Sequence, residues 1–599
     1  MKRSIILAIA IILGIIIYAY GFEVTQVSLE ELGSPRRQES LTRILRALAR
    51  PDVLEYAQDE FQVEAPIYVP CPPAGAPSAP AVDPGQPYMV VTPACAEPSA
   101  QVTIEGFNFE PNTAGPLNFI PPSGVSLQLG RIETDASGHF VTTARLRNRT
   151  SDAAQVIRAI TRRNVGAPSL SENGRNTIDK IIETVFMALL ATTIGTALSI
   201  PISFFAAQNL MRTVTMPLTS VALTILFVPM GMLIGGAVAG AMGDLSRALT
   251  SNLATNLGGL IAGPLVAWGA TRWAFPQEET TIPPVGLRLA RLAALLVAVL
   301  ASVLALFLLS DIAVTVGRAL APQLGAFGFL GAFLANLGEI VRIALAPFCA
   351  LIGAGMLMGL AGRLGQALFE RLPTATVKLI NLALAAGAGA VLAALIGAAV
   401  QWLYEVDDPT VTLYVPALVG AALGLLLALR ARHDASLPIG FTVYNITRTI
   451  LNALRSVEAL IMVIVFAVWV GIGPFAGVLA LGLHTVAALA KLYSEQVESI
   501  LSGPLEAVTA TGANRLQMIV YAVIPQIVPP YISFTMYRWD INVRMSTIIG
   551  FAGGGGIGFL LQQNINLLNY RQASAQILAI AIVVSLMDYL SSSLRQRTI

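Results

Sequence analysis

Long apolar runs separated by short polar segments dominate this chain of 599 residues. A helix needs about 20 mainly apolar residues to cross the hydrocarbon of a bilayer, and most of the runs reach or approach that length. They predict about twelve membrane spans, at residues 4–20, 178–207, 217–241, 256–275, 285–309, 337–361, 378–404, 411–430, 455–470, 475–492, 529–552 and 573–590. The pattern therefore predicts an all-α polytopic membrane protein.

One long stretch, from residue 24 to residue 170, has a different pattern. Residues 30–60 are charged with helical periodicity, and residues 68–87 are rich in proline and alanine, which indicates a linker or irregular loop. Four short alternating segments predict strands, at residues 88–93, 100–109, 125–135 and 139–147. These segments and the TDASGHF turn between the last two resemble small immunoglobulin-like sandwich domains of bacterial surface proteins. Cys71 and Cys95 either form a disulfide here or remain two buried thiols.

Composition supports the membrane assignment and excludes several functions. The chain is 55% hydrophobic and 12% charged, and its formal net charge of +2 gives no reason to expect a nucleic-acid partner. Mean hydropathy is +0.70. Three cysteines and three histidines are dispersed, so no metal site is expected. The chain lacks a GxxxxGK loop followed by serine or threonine, so we expect it to bind no nucleotide cofactor and to have no ATPase activity of its own.

Charged residues at the ends of the apolar runs predict an orientation. Lys2 and Arg3 precede the first run and Arg595 and Arg597 follow the last, so both termini are predicted to be cytoplasmic. No small-residue cleavage site follows the first run, which favours a retained anchor over a cleaved signal peptide. Residues 24–170 are then predicted to be extracytoplasmic.

A mildly polar segment, EAVTATGANRLQMIVYAVIP at residues 506–525, lies between two apolar runs. EAVTAT predicts a short helix, Gly512 suits the left-handed conformation that ends it, and ANRLQMIVYAV predicts a second helix that Pro525 terminates. The segment is too polar to span a bilayer, so it is expected to lie at the membrane surface and to present one face to a partner. An ordinary amphipathic loop is the alternative.

Two further features follow this segment: the charges of YRWDINVR at residues 537–544, and the glycine-rich GFAGGGGIG at residues 550–558. The glycines also fit the dinucleotide pattern GxGxxG, but no βαβ unit surrounds them. At membrane depth they instead permit non-helical backbone, which is tolerated where it is buried in protein or lines a cavity. We therefore interpret the cluster as a gate near the outer mouth of a pathway.

The spacing of these segments resembles the phosphonate-type permeases of ABC importers. In that family an EAA loop precedes a YRW-x-IN-x-R segment and a GF-x-G-x-GGIG cluster, as residues 506–525, 537–544 and 550–558 do here. The resemblance extends to residues 183–210 and 451–498 and covers under half of the chain. About 220 residues between 213 and 436 depart from the family pattern.

The resemblance implies a type I importer permease core of five spans and a division of the chain. The parts are an N-terminal anchor (1–23), an extracytoplasmic domain (24–170), a first core helix (171–212), an inserted region with six spans (213–436) and the remaining core (437–599) with a coupling loop at 495–526. The residues expected to couple the chain to an ATPase are Glu506, Ala507, Gly512, Arg515 and Pro525. No residue is expected to be catalytic.

Partners follow from the same resemblance. Two separate ATPase subunits, which bind ATP and magnesium, would dock on the coupling loops of two identical permease chains in the lipid of a bacterial inner membrane. A substrate-binding protein would deliver phosphonate or a related phosphorus oxyanion from outside. Alternating access would then couple ATP hydrolysis to import.

Polar groups and glycines inside the spans are the candidates for the pathway or gate. They are His484, Arg538, Asp540, Asn542, Arg544, Gly553, Gly554, Gly555, Gly556 and Gly558. Charges at membrane depth cost about 2.5–3.5 kcal/mol each and must face protein or water. Asp540 and Arg544 are spaced to neutralise each other, whereas Arg538 has no such partner and suits a phosphonate or phosphate group. Alternatively, these charges only hold helices or a dimer together, and His484 has a packing or gating role.

Two other classes of protein remain open. A secondary carrier would use Glu339, Arg342 or Asp540 for ion coupling, although Glu339 and Arg342 are also spaced to pair on one helix face. A membrane receptor would take its signal through residues 24–170.

Overall fold

The computed structural model describes residues 2–26, 33–73, 75, 85–250, 252–275, 284–431, 436–513 and 515–598. It falls into two compact units. The first contains residues 1–201, 451–496 and 500–599, and the second contains residues 202–450 and 497–499.

Helices make up most of both units. In chain order they are α1 (Lys2–Val24), α2 (Pro35–Leu48), α3 (Glu172–Phe205), α4 (Gln208–Met211), α5 (Leu218–Leu249), α6 (Leu253–Ala274), α7 (Val285–Gln323), α8 (Gly328–Arg371), α9 (Thr374–Tyr404), α10 (Val415–Arg430), α11 (Ile439–Ser456), α12 (Ala459–Val470), α13 (Pro474–Glu498), α14 (Ser502–Ala510), α15 (Arg515–Met518), α16 (Ile524–Gly550), α17 (Gly556–Asn566) and α18 (Tyr570–Thr598).

Among the described residues, ten helices are long and apolar enough to cross a membrane, or eleven if the bent pair α11 and α12 counts as one span. The sequence predicted about twelve. The difference lies at α6, a helix of 22 residues at the predicted span 256–275 that is not one of the ten. Asn256, Pro264 and Arg272 lower its hydropathy. The span predicted at 455–470 is also shorter than expected, because the chain bends by 89° before Ala459.

Seven strands form the β-rich part of the first unit. They are β1 (Leu54–Val69), β2 (Tyr88–Thr92), β3 (Gln101–Phe107), β4 (Ala114–Ile120), β5 (Leu127–Glu133), β6 (Phe140–Arg145) and β7 (Ser151–Leu170). They pair antiparallel in two sheets, ordered β1-β7-β4-β5 and β2-β3-β6. Alternate residues of both sheets share one apolar core, in which Ile104 and Phe119 are fully buried. Cys71 and Cys95 form a disulfide beside β1 and β2.

The predicted strands at 88–93, 100–109, 125–135 and 139–147 are β2, β3, β5 and β6, but the sequence reading missed the other three. The helical reading of residues 30–60 was wrong at its end, because Leu54 starts a strand that pairs with β7 from Leu170 to Ser151. Its charges belong to cross-strand pairs, with Glu60 2.7 Å from Arg162 and Glu64 2.6 Å from Arg158. Residues 74 and 76–84 of the predicted linker at 68–87 lie outside the described residues.

The turn between β5 and β6 is built around Asp135. Its carboxylate accepts hydrogen bonds from the Ser137 hydroxyl at 2.6 Å and from the backbone N–H groups of Ser137 at 2.8 Å and His139 at 3.0 Å. The Ser137 hydroxyl above all, and then these N–H groups, hold the pKa of Asp135 below its ordinary value. Such bonding fixes the TDASGHF turn in the manner of an Asx turn.

The inserted helices of the second unit pack through glycines. A Cβ atom at Gly424 would lie 2.1 Å from the Ala385 carbonyl oxygen, and one at Gly235 would lie 2.1 Å from the Cys349 carbonyl oxygen. Only glycine lets these backbones approach so closely, as is typical of helix pairs in membranes.

Charged residues pair between α7 and α8. Arg318 lies 2.5 Å from Glu339, and Arg342 lies 3.7 Å from Asp311. The predicted pairing of Glu339 with Arg342 along one helix face was therefore wrong, because the hairpin brings α7 beside this face of α8 and offers each of them an opposite charge.

The two ends of the inserted region meet. Strand β8 (Met216–Pro217) pairs antiparallel with β9 (Ser436–Leu437). Next to them, the Gly440 N–H donates to the Val214 carbonyl at 3.0 Å. The chain therefore enters and leaves the insertion at one place.

Candidate functional site

Helix α16 carries the candidate residues on two of its faces. Arg538 and Asn542, four residues apart, share one face, and Asp540 and Arg544, also four apart, share another. The first face contacts α3 and α13, and the second contacts α18.

Asn542 is the centre of a buried polar cluster. Its Nδ2 atom donates to Thr192 Oγ1 on α3 at 2.8 Å and to Thr485 Oγ1 on α13 at 2.9 Å. Asn542 is fully buried, and Thr485 lies in the middle of α13. One amide thus joins three helices at membrane depth.

Arg538 extends this cluster. Its Nε donates to Thr485 Oγ1 at 3.4 Å, and the side chain is 8% exposed. Three buried atoms around it have no hydrogen-bond partner among the described residues: Arg538 Nη2, His484 Nδ1 and Asn542 Oδ1. A buried guanidinium with an unused donor is costly unless another group satisfies it, so the cluster is suited to receive an anion.

A groove of about 330 Å³ lies against the same two helices, α3 and α16. Thr192 lines it and also bonds Asn542, while Leu189, Thr535 and Trp539 supply other walls. Arg538, His484 and Asn542 are not among the residues that line this groove, so the polar cluster meets it through Thr192.

The second face of α16 holds a network of three charges. Arg544 Nη2 donates to Asp540 Oδ2 at 2.9 Å and to Asp588 Oδ1, on α18, at 2.6 Å. The predicted pairing of Asp540 with Arg544 is present, and Asp588 is a partner that the sequence reading did not identify. This arrangement neutralises Arg544 and leaves it less available to a ligand than Arg538.

The glycine cluster forms a break before α17. Gly553, Gly555 and Gly556 have φ values of +89°, +75° and +69°, a left-handed region that favours glycine. The Gly556 N–H donates to Glu183 Oε1 at 2.8 Å and the Ile557 N–H donates to Thr184 Oγ1 at 2.8 Å. The first amides of α17 are therefore occupied by α3.

The same break packs against the turn before α13. The Gly473 N–H donates to the Gly553 carbonyl at 2.9 Å, and a Cβ atom at Gly555 would lie 2.7 Å from the Pro474 nitrogen. Gly554 and Gly558 are also in tight contacts. A Cβ atom at Gly558 would lie 1.9 Å from the Thr547 carbonyl oxygen. The glycines allow backbone to close on backbone here.

The segment after α13 is an exposed helical hairpin. Glu506 and Ala507 are exposed on α14, and Gly512 has a φ of +79°, the left-handed conformation predicted for it. Between α14 and the following turn lies a groove of about 570 Å³, lined by Ala507, Val508, Thr511, Gly512, Ala513, Gln517 and Tyr521. Arg515 begins α15, and its side chain lies outside the described residues.

Pro525 does not end a helix, contrary to the prediction. It lies in the first turn of α16, directly after a wide turn at Ile519–Val523 in which the Ile524 N–H donates to the Ile519 carbonyl. A proline is tolerated in a first turn because its missing N–H has no intrahelical partner there. The Leu501 N–H also donates to Gln526 Oε1 at 3.0 Å, which ties the hairpin to α16.

The structure thus groups the predicted residues into four places: the cluster of Arg538, Asn542 and His484, the Asp540–Arg544 pair, the glycine break and the surface hairpin. Sequence reasoning missed Thr192, Thr485, Glu183 and Asp588. For Thr192, Thr485 and Asp588 the available signal was a polar side chain inside an otherwise apolar run.

The chain has many apolar helices, buried polar groups at membrane depth and an exposed hairpin at the start of the helix that carries these groups. These features are those of a membrane permease subunit rather than of an enzyme. Comparison with known proteins agrees. Residues 420–597 match the family of binding-protein-dependent transport system inner membrane components.

Relatives support the same family. The phosphite transport system permease protein PtxC of Stutzerimonas stutzeri is 38% identical over 193 residues, 31% of this chain and 69% of that protein. A protein of Escherichia coli that is named as a cryptic phosphonate transport system permease is 46% identical over 121 residues, 20% of this chain and 99% of its own length. The phosphate-import permease protein PhnE of Mycolicibacterium smegmatis is 35% identical over 204 residues, 32% of this chain and 38% of that protein.

The chain therefore belongs to the binding-protein-dependent transport system inner membrane components and is a multi-pass permease of the phosphonate type. A solved methionine ABC transporter in an inward-facing conformation is similar over 38% of this chain and 98% of its own, at 19% identity and a TM-score of 0.25, which is too low to define a conformation for this protein.

Proposed function

We propose that this chain imports a phosphorus oxyanion, such as phosphonate, phosphite or phosphate, as the permease subunit of an ABC importer. The named substrates of its relatives support the ligand class. The observation that carries the proposal is Arg538, which is buried at membrane depth with Nη2 unpartnered among the described residues.

Arg538 has the chemistry that this ligand requires. A guanidinium holds a phosphate-like group through two parallel hydrogen bonds and remains charged even where it is desolvated. One turn further along α16, Asn542 Oδ1, which is unpartnered in the described part of the chain, is an acceptor that fits the hydroxyl of a protonated phosphorus oxyanion, and the likewise unpartnered His484 Nδ1 donates or accepts according to its tautomer. Arg544 is less suited, because two carboxylates already accept its hydrogen bonds.

Coupling is proposed to run along α16. Two ATPase subunits, which bind ATP and Mg²⁺ while this chain binds neither, dock on the exposed groove beside Glu506, Ala507 and Gly512. Gln526, at the start of α16, bonds the hairpin, and Arg538 lies twelve residues further along the same helix, about 18 Å away. One helix, with Pro529 and Pro530 between these two residues, thus connects the hairpin to the buried cluster.

The remaining partners follow from this assignment. Two identical chains form the pathway in the inner membrane, with both termini in the cytoplasm and the β sandwich outside. The sandwich, which we interpret as immunoglobulin-like, lies on the side from which a substrate-binding protein delivers the ligand.

The test is uptake by proteoliposomes that contain the chain with its ATPase and binding protein. Loss of a charged hydrogen-bonding group costs about 1.5–3 kcal/mol, so Arg538→Gln should lower uptake of phosphite, phosphate or methylphosphonate by about 10- to 100-fold. Arg538→Lys keeps the positive charge but loses the two parallel N–H donors of the guanidinium, so it should retain part of the uptake. Arg149→Gln, at an exposed position of the sandwich, is the matched control. Unchanged uptake by Arg538→Gln would refute the assignment of the site.

A second variant separates docking from the pathway. Glu506→Lys should remove the ATPase subunit from material purified in mild detergent, as measured by mass spectrometry, while Arg538→Gln should retain it. If vesicles that contain this chain alone take up the anion when an ion gradient is applied, the ATP-dependent importer mechanism is wrong.

A further inference from the structure

Helix α2 (Pro35–Leu48) is amphipathic, and its apolar side is largely uncovered. Leu41, Ile44, Leu45 and Leu48 recur at helical spacing and form one stripe. Leu41 and Leu45 are 56% and 55% exposed, and no residue of the helix is buried. An exposed leucine stripe on a single helix marks a surface that something apolar covers.

The opposite face of α2 is basic. Arg36, Arg43 and Arg46 project from it, whereas Arg37 lies on the side of the leucines and Arg50 follows the end of the helix. Between residues 35 and 50 there are five arginines and one glutamate, so this segment carries a net charge of 5 − 1 = +4. Glu39 lies 3.5 Å from Arg43 and pairs with it along the helix.

Hydrogen bonds fix the depth at which α2 ends. The Ser574 hydroxyl donates to the Leu48 carbonyl, and the Asp52 N–H donates to the Arg571 carbonyl at 3.0 Å. Ser574 lies at the N-terminal end of the span predicted at 573–590, three residues, or about 4.5 Å along the helix axis, before Ile577, the first large apolar side chain of that span. The headgroup layer on each side of the hydrocarbon is about 5–8 Å thick, so the end of α2 lies within that layer.

Helix α1, an apolar candidate span, ends at Val24, and ten residues separate it from the start of α2. Helix α2 has 14 residues and is about 21 Å long, and its arginines make a path through the hydrocarbon costly. It therefore lies outside the hydrocarbon, with its C-terminal end held beside α18.

We infer that α2 is an interfacial helix that binds anionic phospholipids. Leu41 and Leu45 lie among the acyl chains, and the arginines reach the lipid phosphates through their flexible stems. The charge of the segment favours an anionic bilayer over a neutral one, by about fivefold for each basic residue near the surface. A protein partner would satisfy the leucine stripe, but the position of α2 in the headgroup layer and its basic face together fit lipid. This assignment does not depend on the transported ligand.

The test places a fluorescent probe on the full-length chain in nanodiscs. In a Cys349→Ala background, Leu45→Cys and Arg46→Cys are each labelled, since Cys71 and Cys95 are bonded to each other. The probe at position 45 should be quenched by nitroxide-bearing lipids and protected from aqueous iodide, and the probe at position 46 should show the reverse. Equal access of iodide to both positions, or protection of position 45 from both quenchers, would overturn the inference, the latter by showing a protein cover.

The charge requirement is tested in the same system. Lipid quenching at position 45 should be stronger in discs of phosphatidylcholine with phosphatidylglycerol than in phosphatidylcholine alone. Arg36→Gln with Arg46→Gln should reduce that difference strongly, whereas Arg131→Gln with Arg149→Gln, on the sandwich, should leave it intact. Quenching that is independent of phosphatidylglycerol would show that the arginines do not bind anionic lipid.

Discussion

In the inserted helices the closest contacts join backbone to backbone, whereas α3, α13 and α16 meet through polar side chains. A Cβ atom at Gly389 would lie 2.1 Å from the Gly420 carbonyl oxygen, so α9 and α10 touch without any side chain between them. In the polar cluster the amide of Asn542 spans the gap to Thr192 and Thr485. Both devices hold helices together where lipid removes the usual hydrophobic driving force.

The difference indicates which region has a role other than packing. Backbone contacts between small residues stabilise helix pairs without using side-chain polar atoms, and the atoms Thr224 Oγ1 and Asn256 Oδ1 of the insertion, buried and unpartnered among the described residues, lie on separate helices, α5 and α6. The cluster on α16 instead retains unpartnered atoms on Arg538, His484 and Asn542, which cost stability. Polar groups with unused bonding capacity are retained where a ligand or a moving part uses them.

Replacing a packing glycine of the insertion should have the largest effect on stability. In Gly424→Leu the new side chain collides with the α9 backbone at Ala385, and overpacking costs about 1–3 kcal/mol or more. The melting temperature in detergent should fall markedly. Gly355→Leu, whose Cβ meets nothing within 4 Å, is the control and should melt at or above the wild-type temperature. Equal melting of both variants would show that close backbone packing does not stabilise the insertion.

A matched pair of asparagines should show a smaller difference. Asn542→Leu removes two interhelical hydrogen bonds, whereas Asn381→Leu removes one, from Thr219 at 2.8 Å. At about 0.6 kcal/mol for each such bond in a membrane, the first should destabilise about twice as much as the second. Transport should separate them further, with Asn542→Leu impaired and Asn381→Leu near wild type. Similar transport by both would remove the functional distinction between the two regions.

The smallest effect is expected for the ion pair of the α7–α8 hairpin. Arg318 and Glu339 are 68% and 47% exposed, and such pairs contribute about 0–1 kcal/mol. A double-mutant cycle with Arg318→Gln and Glu339→Gln should give a coupling energy in that range. The corresponding cycle with Arg544→Gln and Asp540→Asn should give a larger value, because the Asp540 side chain is only 7% exposed. Equal coupling energies would mean that the burial of Asp540 does not strengthen its ion pair with Arg544.

Much of the membrane architecture was predictable from hydropathy, because a span is a property of about twenty neighbouring residues. The alternation of β2, β3, β5 and β6 was visible for the same reason. Strands β1 and β7 were not, because the charges up to Glu60 were interpreted as a helix surface and the pairing of Glu60 with Arg162 exists only across the ladder.

The candidate site was predictable only in part. The charges on α16 were evident, since any charge in an apolar run is conspicuous. Which helix each one faces was not, because the direction of a side chain depends on neighbours distant in sequence, such as Thr485 for Arg538 and Asp588 for Arg544. Pro525 was misread for a related reason, since a proline ends one helix or begins another according to the turn before it.

The short ladder of β8 and β9 has a consequence for how so large an insertion is accommodated. Closing a flexible loop costs conformational entropy that rises only with the logarithm of its length, so each doubling adds about 0.6 kcal/mol. Met216 pairs with Leu437 and Pro217 pairs with Ser436, so the two ends of the insertion are held next to each other by this ladder. The segments before and after the insertion are therefore joined as they would be by a tight reverse turn, although some two hundred residues lie between them.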